Sequence, residues 1–513
     1  MGRRAVGVAM AAVLGALTTA CGTTVTAVSA PTAAGASSDS LSLTAPGSAP
    51  GGAAGGATSG IGTTTGATSG VTEGVAGGGL PITTVPGAVP SALPTTASGQ
   101  LVVSLGVVYL KGLDQAYKAA GASSSTTGSQ ADYEAVIKHL NAEPGSRVIL
   151  KPSYYAVDAA STQSQADQLE AACAHFTSDM HVTIVLSYSP GSEGALASCL
   201  QKHGVPLVDG SLAAYVGDAV ERALPYLWQP SQLTLDRVGA LEASYLVRNH
   251  WVDKRWPSSA SCATVTQPRV GVITFDRPDW RAAYTKAVAP TFKGAGHPVY
   301  DVEYLAVSGS TAQQLAQASS GAQSAVLKFA SDCVDHVAFV GNVALDYLFM
   351  DVAQQQGYNP RYGLSSLEAP PVIVQNLAQP TSQLHGAIGP GWAPYDDVDI
   401  TQFDAVSKAT AAECFAILKA VGLAPTDNNS AALAMPSCEG PMFALTVLQR
   451  WVAGGRVGSL LDVVNAVGSS YKPVGTFAAT IDATHHDGAS EFRGFAYVDG
   501  CTCFRYVTGL QRI

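Results

Sequence analysis

From residue 101 onward, short β-branched and apolar runs alternate with stretches whose apolar residues recur at helical spacing, and this alternation restricts the fold most. The run 101–110 (LVVSLGVVYL) reads as a buried strand and 131–142 (ADYEAVIKHLNA) as an amphipathic helix. A strand at 147–157, a helix at 161–176, a strand at 182–187, a helix at 193–203 and a strand at 205–208 complete a first series. A helix at 235–248 opens a second, with strands at 269–275 (RVGVITF), 299–305 (VYDVEYL) and 335–340 (DHVAFV) and helices at 282–292, 312–330 and 344–356. Short strands at 362–365 and 372–375 follow. Helices at 405–421, 440–453 and 457–467 come next, then β structure with glycine turns over 476–507. Strands separated by single helices pair in parallel, so the expectation is an α/β fold with helices on both faces of its sheets.

The first hundred residues are of another kind. Arg3 and Arg4 precede an uncharged apolar run from 5 to 17 and then Thr18-Thr19-Ala20, the layout of a secretory signal over 1–20. Its apolar core is too short to span a bilayer, and no later uninterrupted apolar run reaches about twenty residues. Cys21 follows at once. This resembles the lipobox of bacterial lipoproteins, with Leu17 one place earlier than usual, and implies a diacylated Cys21 as the mature N-terminus. An ordinary signal with an incidental cysteine is the alternative, and either form exports the chain. Residues 21–100 contain no aromatic residue, Lys or Arg, and only Asp39 and Glu73 as charges. They have little apolar surface with which to offset the entropy of ordering, so they read as a disordered tether. A flexible coil of about 80 residues spans ~50 Å, enough to hold a globular body clear of a membrane.

The remaining residues, 101–513, suffice for two or three domains at ~100–200 residues each. A net charge of −10 argues against a nucleic-acid partner, which calls for a basic face. Abundant Ala and Gly with only 13% charged residues read as a habit of GC-rich genomes, and the hydrophobic fraction of 47% leans on Ala and Val and does not indicate a membrane protein. Nine cysteines in an exported chain are one lipid attachment plus an even set for disulfides: Cys173, Cys199, Cys262, Cys333, Cys414, Cys438, Cys501 and Cys503. No CxxC pair is present to make a thiolate metal site. Cys501 and Cys503 form a CxC pair, structural or, if bridged tightly, redox-active. GxSxG, HExxH and P-loop motifs are absent, and GxGxxG does not occur outside the tether. The one dense His/Asp cluster, His485-His486-Asp487, reads as a solvated turn ahead of Gly488, because adjacent histidines on a strand point to opposite faces. No metal, cofactor or catalytic residue is expected.

Two βα series in tandem, a helical return and a β tail resemble the type I periplasmic binding proteins, in particular the leucine or branched-chain amino acid receptors. The segments HVTIVLSYSPGSEGALASCLQKHGVPLVDG, ALPYLWQPSQ, RVGVITFDRPDWRAAY, VDHVAFVGNVALDYLFMDVAQQQGYNPRYG and LHGAIGPGWAP carry the resemblance through their order. Two places depart from it: Asn141-Ala142-Glu143-Pro144-Gly145 stands for the usual NAxGG-type phrase, and the loop 111–130 lacks the Gly-rich form. The resemblance implies two doubly wound, Rossmann-like lobes joined by three hinge crossings. Its segments are lobe one at 101–229, lobe two at 230–370, a return to lobe one at 371–472 and C-terminal strands of lobe two at 473–513.

On that layout, Cys173 with Cys199, Cys262 with Cys333, Cys414 with Cys438, and Cys501 with Cys503 are the implied pairs. Ligands of open α/β sheets bind beyond the carboxyl ends of the strands. Tyr109, the loop 188–192, residues 209–211, Phe275-Asp276-Arg277, Trp280, Gly341-Asn342, Ser366 and Glu368 occupy those places. The resemblance implies that Ser189, Ser192, Gly210 and Ser211 hold a ligand carboxylate, Asp276 or Glu368 an ammonium, and Tyr109 and Trp280 its apolar part. Asn342 joins the same set. For each serine, helix N-capping is the competing role. The implied protein is a monomeric, membrane-anchored solute-binding lipoprotein on the outer face of the membrane. It captures an amino acid or amide-like molecule for the permease of an ABC importer. A surface lipoprotein using this fold as scaffold or sensor is the alternative, and an exported hydrolase a more distant one. Replacing Cys21 by Ser is expected to abolish labelling by a palmitate analogue and to release the protein from the membrane fraction; unchanged labelling would place the lipid elsewhere.

Overall fold

The computed structural model describes residues 93–112, 129–158, 161, 163–188, 194–210, 216–306, 312–375, 381–396 and 402–513. The first sheet contains β1 (Leu101–Lys111), β2 (Val148–Asp158), β3 (Ile184–Ser187), β4 (Leu207–Asp209) and β5 (Leu227–Trp228), in the order β2-β1-β3-β4-β5 and parallel throughout. Its helices are α1 (Gln130–Ala142), α2 (Gln165–Ala174), α3 (Ala195–Lys202) and α4 (Asp218–Ala223). β1 shows why both faces must be covered. Leu101, Val103, Leu105 and Val107 enter one apolar cluster with α1, while Val108 and Leu110 enter a second with α2 and α3. Side chains alternate across a strand, and here both sets are apolar.

The chain then enters α5 (Leu235–Arg248), whose bounds coincide with those expected, and builds a second sheet. β6 (Val270–Phe275), α6 (Pro278–Ala283) and α7 (Ala289–Gly294) come first. β7 (Asp301–Leu305), α8 (Ala312–Ser331), β8 (His336–Val340), α9 (Val343–Gln355), β9 (Arg361–Gly363), α10 (Pro370–Gln375) and β10 (Ile388–Gly391) follow. Helices α11 (Ala405–Ala420), α12 (Asn428–Ala453) and α13 (Leu460–Asn465) return to lobe one. Strands β11 (Glu491–Val498), β12 (Cys503–Tyr506) and β13 (Gln511–Arg512) finish lobe two. The second sheet runs β12-β11-β10-β9-β8-β6-β7, with β13 on β11. It is parallel from β7 to β10 and antiparallel beyond.

Several boundaries differ from the expectation. Residues 372–375, expected as a strand, belong to helix α10, where Pro370 and Pro371 occupy the first turn and lose no intrahelical bond. β10 pairs with β9 and β11, so the return to lobe one begins after Gly391 and not at 371. Helix α12 starts at Asn428, well before 440, with Asp427 accepting from Ser430 N at 2.7 Å as its cap. It carries Pro436 and Pro441 in its interior, which sequence rules read as breakers. Its residues Cys438, Met442, Phe443 and Leu448 fill the lobe-one core, and that burial outweighs the lost hydrogen bonds. Over Ser430–Ala453 the helix is long and apolar enough to cross a membrane, but 94% of the apolar window is buried inside the protein, which marks it as a core helix. The body also starts earlier than residue 101: Leu93 packs on the lobe-one core, and Val102 N donates to Pro94 O at 2.8 Å.

The four cysteine pairs have the implied partners, with Cα–Cα separations of 6.3 Å (Cys173–Cys199), 5.5 Å (Cys262–Cys333), 5.7 Å (Cys414–Cys438) and 5.2 Å (Cys501–Cys503). In lobe two, β9 and β10 approach so closely that a Cβ on Gly389 would lie 1.7 Å from Leu364 O. Backbone on both sides leaves no room to yield. Gly389→Ala is therefore expected to lower unfolding stability by roughly 3 kcal/mol or more, or to prevent folding. Urea unfolding within 1 kcal/mol of the parent would contradict this packing.

Candidate functional site

The first crossing leaves the carboxyl end of β5 at Gln229, and the second leaves that of β10 at Trp392. The third enters β11 near Glu491. Gly391 at the end of β10 pairs with Arg493 at the beginning of β11, so the crossings share one end of the sheet. The carboxyl ends of both parallel sheets therefore face the junction, the place where such sheets bind ligands.

The crossings are tied together by buried polar groups. Asp487, fully closed to solvent, accepts from Thr234 N at 2.7 Å and lies 2.7 Å from Arg237 Nη1. Arg237 also donates to the carbonyls of Asp487 and Ala489 at 2.7 and 3.0 Å. Gln229 N donates to His486 O, and Gly488 N to Gln229 O, both at 2.8 Å. A Cβ on Gly488 would lie 2.4 Å from Pro230 O, so only glycine allows this approach. From lobe one, Glu221 Oε1 accepts from His486 N at 2.6 Å and Asp487 N at 2.9 Å. Burial first, then the Asp487 charge, pushes the Glu221 carboxyl up to about 7 against those two bonds. Glu439 on α12 accepts from Val474 N and Gly475 N at 2.7 and 2.8 Å, and Thr476 Oγ1 donates to Trp392 O at 2.9 Å. Thus 485–487 is no solvated turn: His486 and Asp487 are buried, and only His485 is open.

The expected ligand residues separate into three groups. Ser189, Ser192 and Ser211 lie outside the described residues. Tyr109 is half-buried at the end of β1, edge-on to Tyr154 at 6.4 Å. Asn342 is nearly closed to solvent, with its carbonyl accepting from Leu345 N at 2.9 Å at the start of α9. The others correct the expectation. Gly210 N donates to Ser187 O at 2.9 Å and its Cα abuts Pro436, so that N–H is not open to an anion. Trp280 is fully buried against Phe275, with ring centroids 5.0 Å apart, because α6 turns it under β6. Asp276 is exposed and paired with Arg281 Nε at 2.7 Å, not with Arg277. Glu368 is fully buried and closes its own turn, accepting from Ser365 N and Oγ at 2.6 Å and Gly341 N at 3.1 Å. Ser366 accepts from Trp392 N at 2.8 Å and belongs to the second crossing.

Sequence reasoning passed over Tyr133 and Tyr154. Tyr133 sits in the first turn of α1, at the carboxyl edge of sheet one, and its hydroxyl is pushed up by burial and then by the charge of Asp209. Tyr154 Oη is buried with no hydrogen-bond partner among the described residues. Tyr109 meets Tyr154 edge-on, and Tyr133 is fully buried. Their signal was available only as tyrosines near strand and helix ends, which is a weak one.

Behind Glu368 are two further buried acids, Glu242 on α5 and Asp346 on α9. Neither carboxyl has a hydrogen-bond partner among the described residues. Burial, then the charge of Glu368, raises both well above the usual carboxylate range. Glu368 itself is pushed up to about 8, burial outweighing its bonds from Ser365 and Gly341. A separate cavity of about 1600 Å³ lies along α5, α11 and the third crossing, lined by Arg237, Ser244, Arg248, Thr410, Tyr471 and His485. None of the expected ligand residues that are described lines it.

No protein-family model and no curated protein sequence matches the chain. Solved structures do. A solute-binding protein of an ABC transporter from Rhodopseudomonas palustris BisB5, in complex with 3,4-dihydroxybenzoic acid, aligns with a TM-score of 0.54 at 12% identity, over 80% of this chain and 97% of that one. A branched-chain amino acid ABC transporter protein from Thermus thermophilus with bound valine gives 0.54 at 14% identity over the same shares. A leucine-binding protein from Thermotoga maritima gives 0.52, again at 14% identity and with the same coverage. The chain has the fold of the type I periplasmic binding proteins. The first and third of these neighbours are described as binding proteins.

The buried acids set a pH dependence. A carboxyl whose folded pKa is raised contributes stability that is fully present below the unfolded value near 4.5 and is lost as pH rises through the folded value. For Glu368 the window runs from about 4.5 to about 8. Glu242→Gln removes a titratable group without removing a hydrogen bond. It is expected to reduce the loss of unfolding stability between pH 5 and pH 8 by about 1–2 kcal/mol, since one pKa unit is ~1.4 kcal/mol. Parallel pH profiles for parent and variant in urea titrations would show that the three carboxyls do not interact.

Proposed function

We propose that this chain is an extracytoplasmic solute-binding lipoprotein, anchored through Cys21, that captures a small carboxylate-bearing molecule between its lobes and delivers it to an ABC importer. The observation that carries this reading is the placement of the carboxyl ends of two parallel sheets at one junction crossed by three segments. Such a junction presents strand-end loops and helix N-termini from both sides, and N-termini favour an anionic group. The similarity to solute-binding structures described with valine, leucine-binding activity and hydroxybenzoate supports a binding role.

An amino acid or amide-like ligand remains the first choice, with Ser189, Ser192 and Ser211 as carboxylate contacts and Asn342 opposite. The second choice is an aromatic carboxylic acid, supported by the neighbour described with 4-hydroxybenzoate and by the edge-on pair Tyr109 and Tyr154 at the end of sheet one. A thermal-shift screen of the body from Val85 to Ile513 against amino acids and substituted benzoates decides between them. A ligand at ~100 times its dissociation constant adds ~2.7 kcal/mol to the folded state. The expected result is one ligand class whose effect is lost in Ser189→Ala or Ser211→Ala and, for a benzoate, weakened in Tyr154→Phe. Folded, ligand-free protein that responds to neither class would favour the scaffold or sensor alternative.

A further inference from the structure

We propose that Glu221, His485 and Asp487 form a binding site for a divalent transition-metal ion of the zinc type at the hinge. One ligand atom from each of the three lies within 4.8 Å of the others. His485 Nδ1 and Asp487 Oδ1 are 3.5 Å apart, close to the separation of two ligands that share a zinc at ~2.0–2.2 Å in tetrahedral geometry. An imidazole with two carboxylates is a donor set for zinc, cobalt or nickel, whereas magnesium and calcium prefer oxygen ligands alone.

The surroundings fit an ion. Asp487 is oriented by Thr234 N, and Glu221 by the N–H groups of His486 and Asp487, so both buried carboxylates are held before any ion arrives. Among the described residues Arg237 is the one guanidinium ion-paired with them, and it lies on Asp487, leaving Glu221 without a guanidinium of its own. A divalent ion bound to Glu221 and His485 would share Asp487 with Arg237 and supply the missing charge. Access is open, since His485 is half-exposed and lines the 1600 Å³ cavity, where water can complete the coordination. The other histidine–carboxylate pairs, His175–Asp179, His250–Asp253, His336–Asp335 and His385–Asp499, do not appear in a three-ligand cluster among the described residues. Occupancy would fasten α4 of lobe one to the third crossing, beside Gln229 at the end of β5. The proposal is independent of the ligand carried between the lobes.

The test is titration of the metal-free mature protein with Co²⁺, followed by its visible d–d absorption, and with Zn²⁺, followed by melting temperature. One saturable equivalent is expected. Its dissociation constant should rise at least tenfold in His485→Ala, an exposed substitution that leaves the Asp487–Arg237 pair in place, and remain unchanged in His250→Ala and His385→Ala. Glu221→Gln should also weaken it. Absence of saturable binding in the parent, or equal affinity in His485→Ala, would overturn the assignment.

Discussion

Asp487 is fully buried where the third crossing meets the first, and the residue is held from both lobes, its carboxylate from one side and its backbone from the other. Thr234 and Arg237 come from the first crossing and α5, while the adjacent N–H groups bind Glu221 of α4. Two charges taken out of water recover their solvation only when geometry and hydrogen bonding are complete, and removing one partner of such a pair costs about 3–5 kcal/mol. Here the arrangement is complete only when the third crossing lies against the first, with Gly488 against Pro230. The relation of the two lobes near the hinge therefore depends on this ion pair, and the cleft inherits its geometry from it.

Lobe two adds a second constraint of the opposite kind. Glu242, Asp346 and Glu368 are buried together with no basic partner among the described residues, and burial pushes all three carboxyls above their ordinary range. Glu368 still has a structural task, closing the turn after β9 and joining it to Gly341 at the end of β8. Burial at this place explains why an acid at a strand end, the natural candidate for an ammonium, is instead part of the lobe's interior.

Much of the architecture was legible because its signals are local. Strands β1, β6 and β8 and helices α5, α8, α9 and α11 announce themselves through β-branched runs or helical spacing, and they appear within a few residues of the expected bounds. Errors arose where tertiary packing overrides a local rule. Pro436 and Pro441 are breakers by propensity yet sit in α12, because the apolar residues around them fill the lobe-one core. The run 372–375 has strand composition, but two prolines start it as a helix. Leu227–Trp228 is too short to read as a strand, and becomes one by completing the edge of sheet one and packing Trp228 on Phe443.

The sequence alone determined the α/β class and an even set of cysteines, since each rests on composition or on periodicity along the chain. Only the tertiary structure decided which side chains face a cavity, because burial depends on residues distant in sequence. Trp280 and Glu368 stand beside strand ends in the sequence as candidates do, yet both turn inward. Tyr133 and Tyr154, unremarkable in sequence, reach the carboxyl edge of sheet one. His485 and Asp487 become partners of Glu221, 264 and 266 positions away by subtraction of their numbers, because three crossings must meet at one point for the two sheets to share a junction.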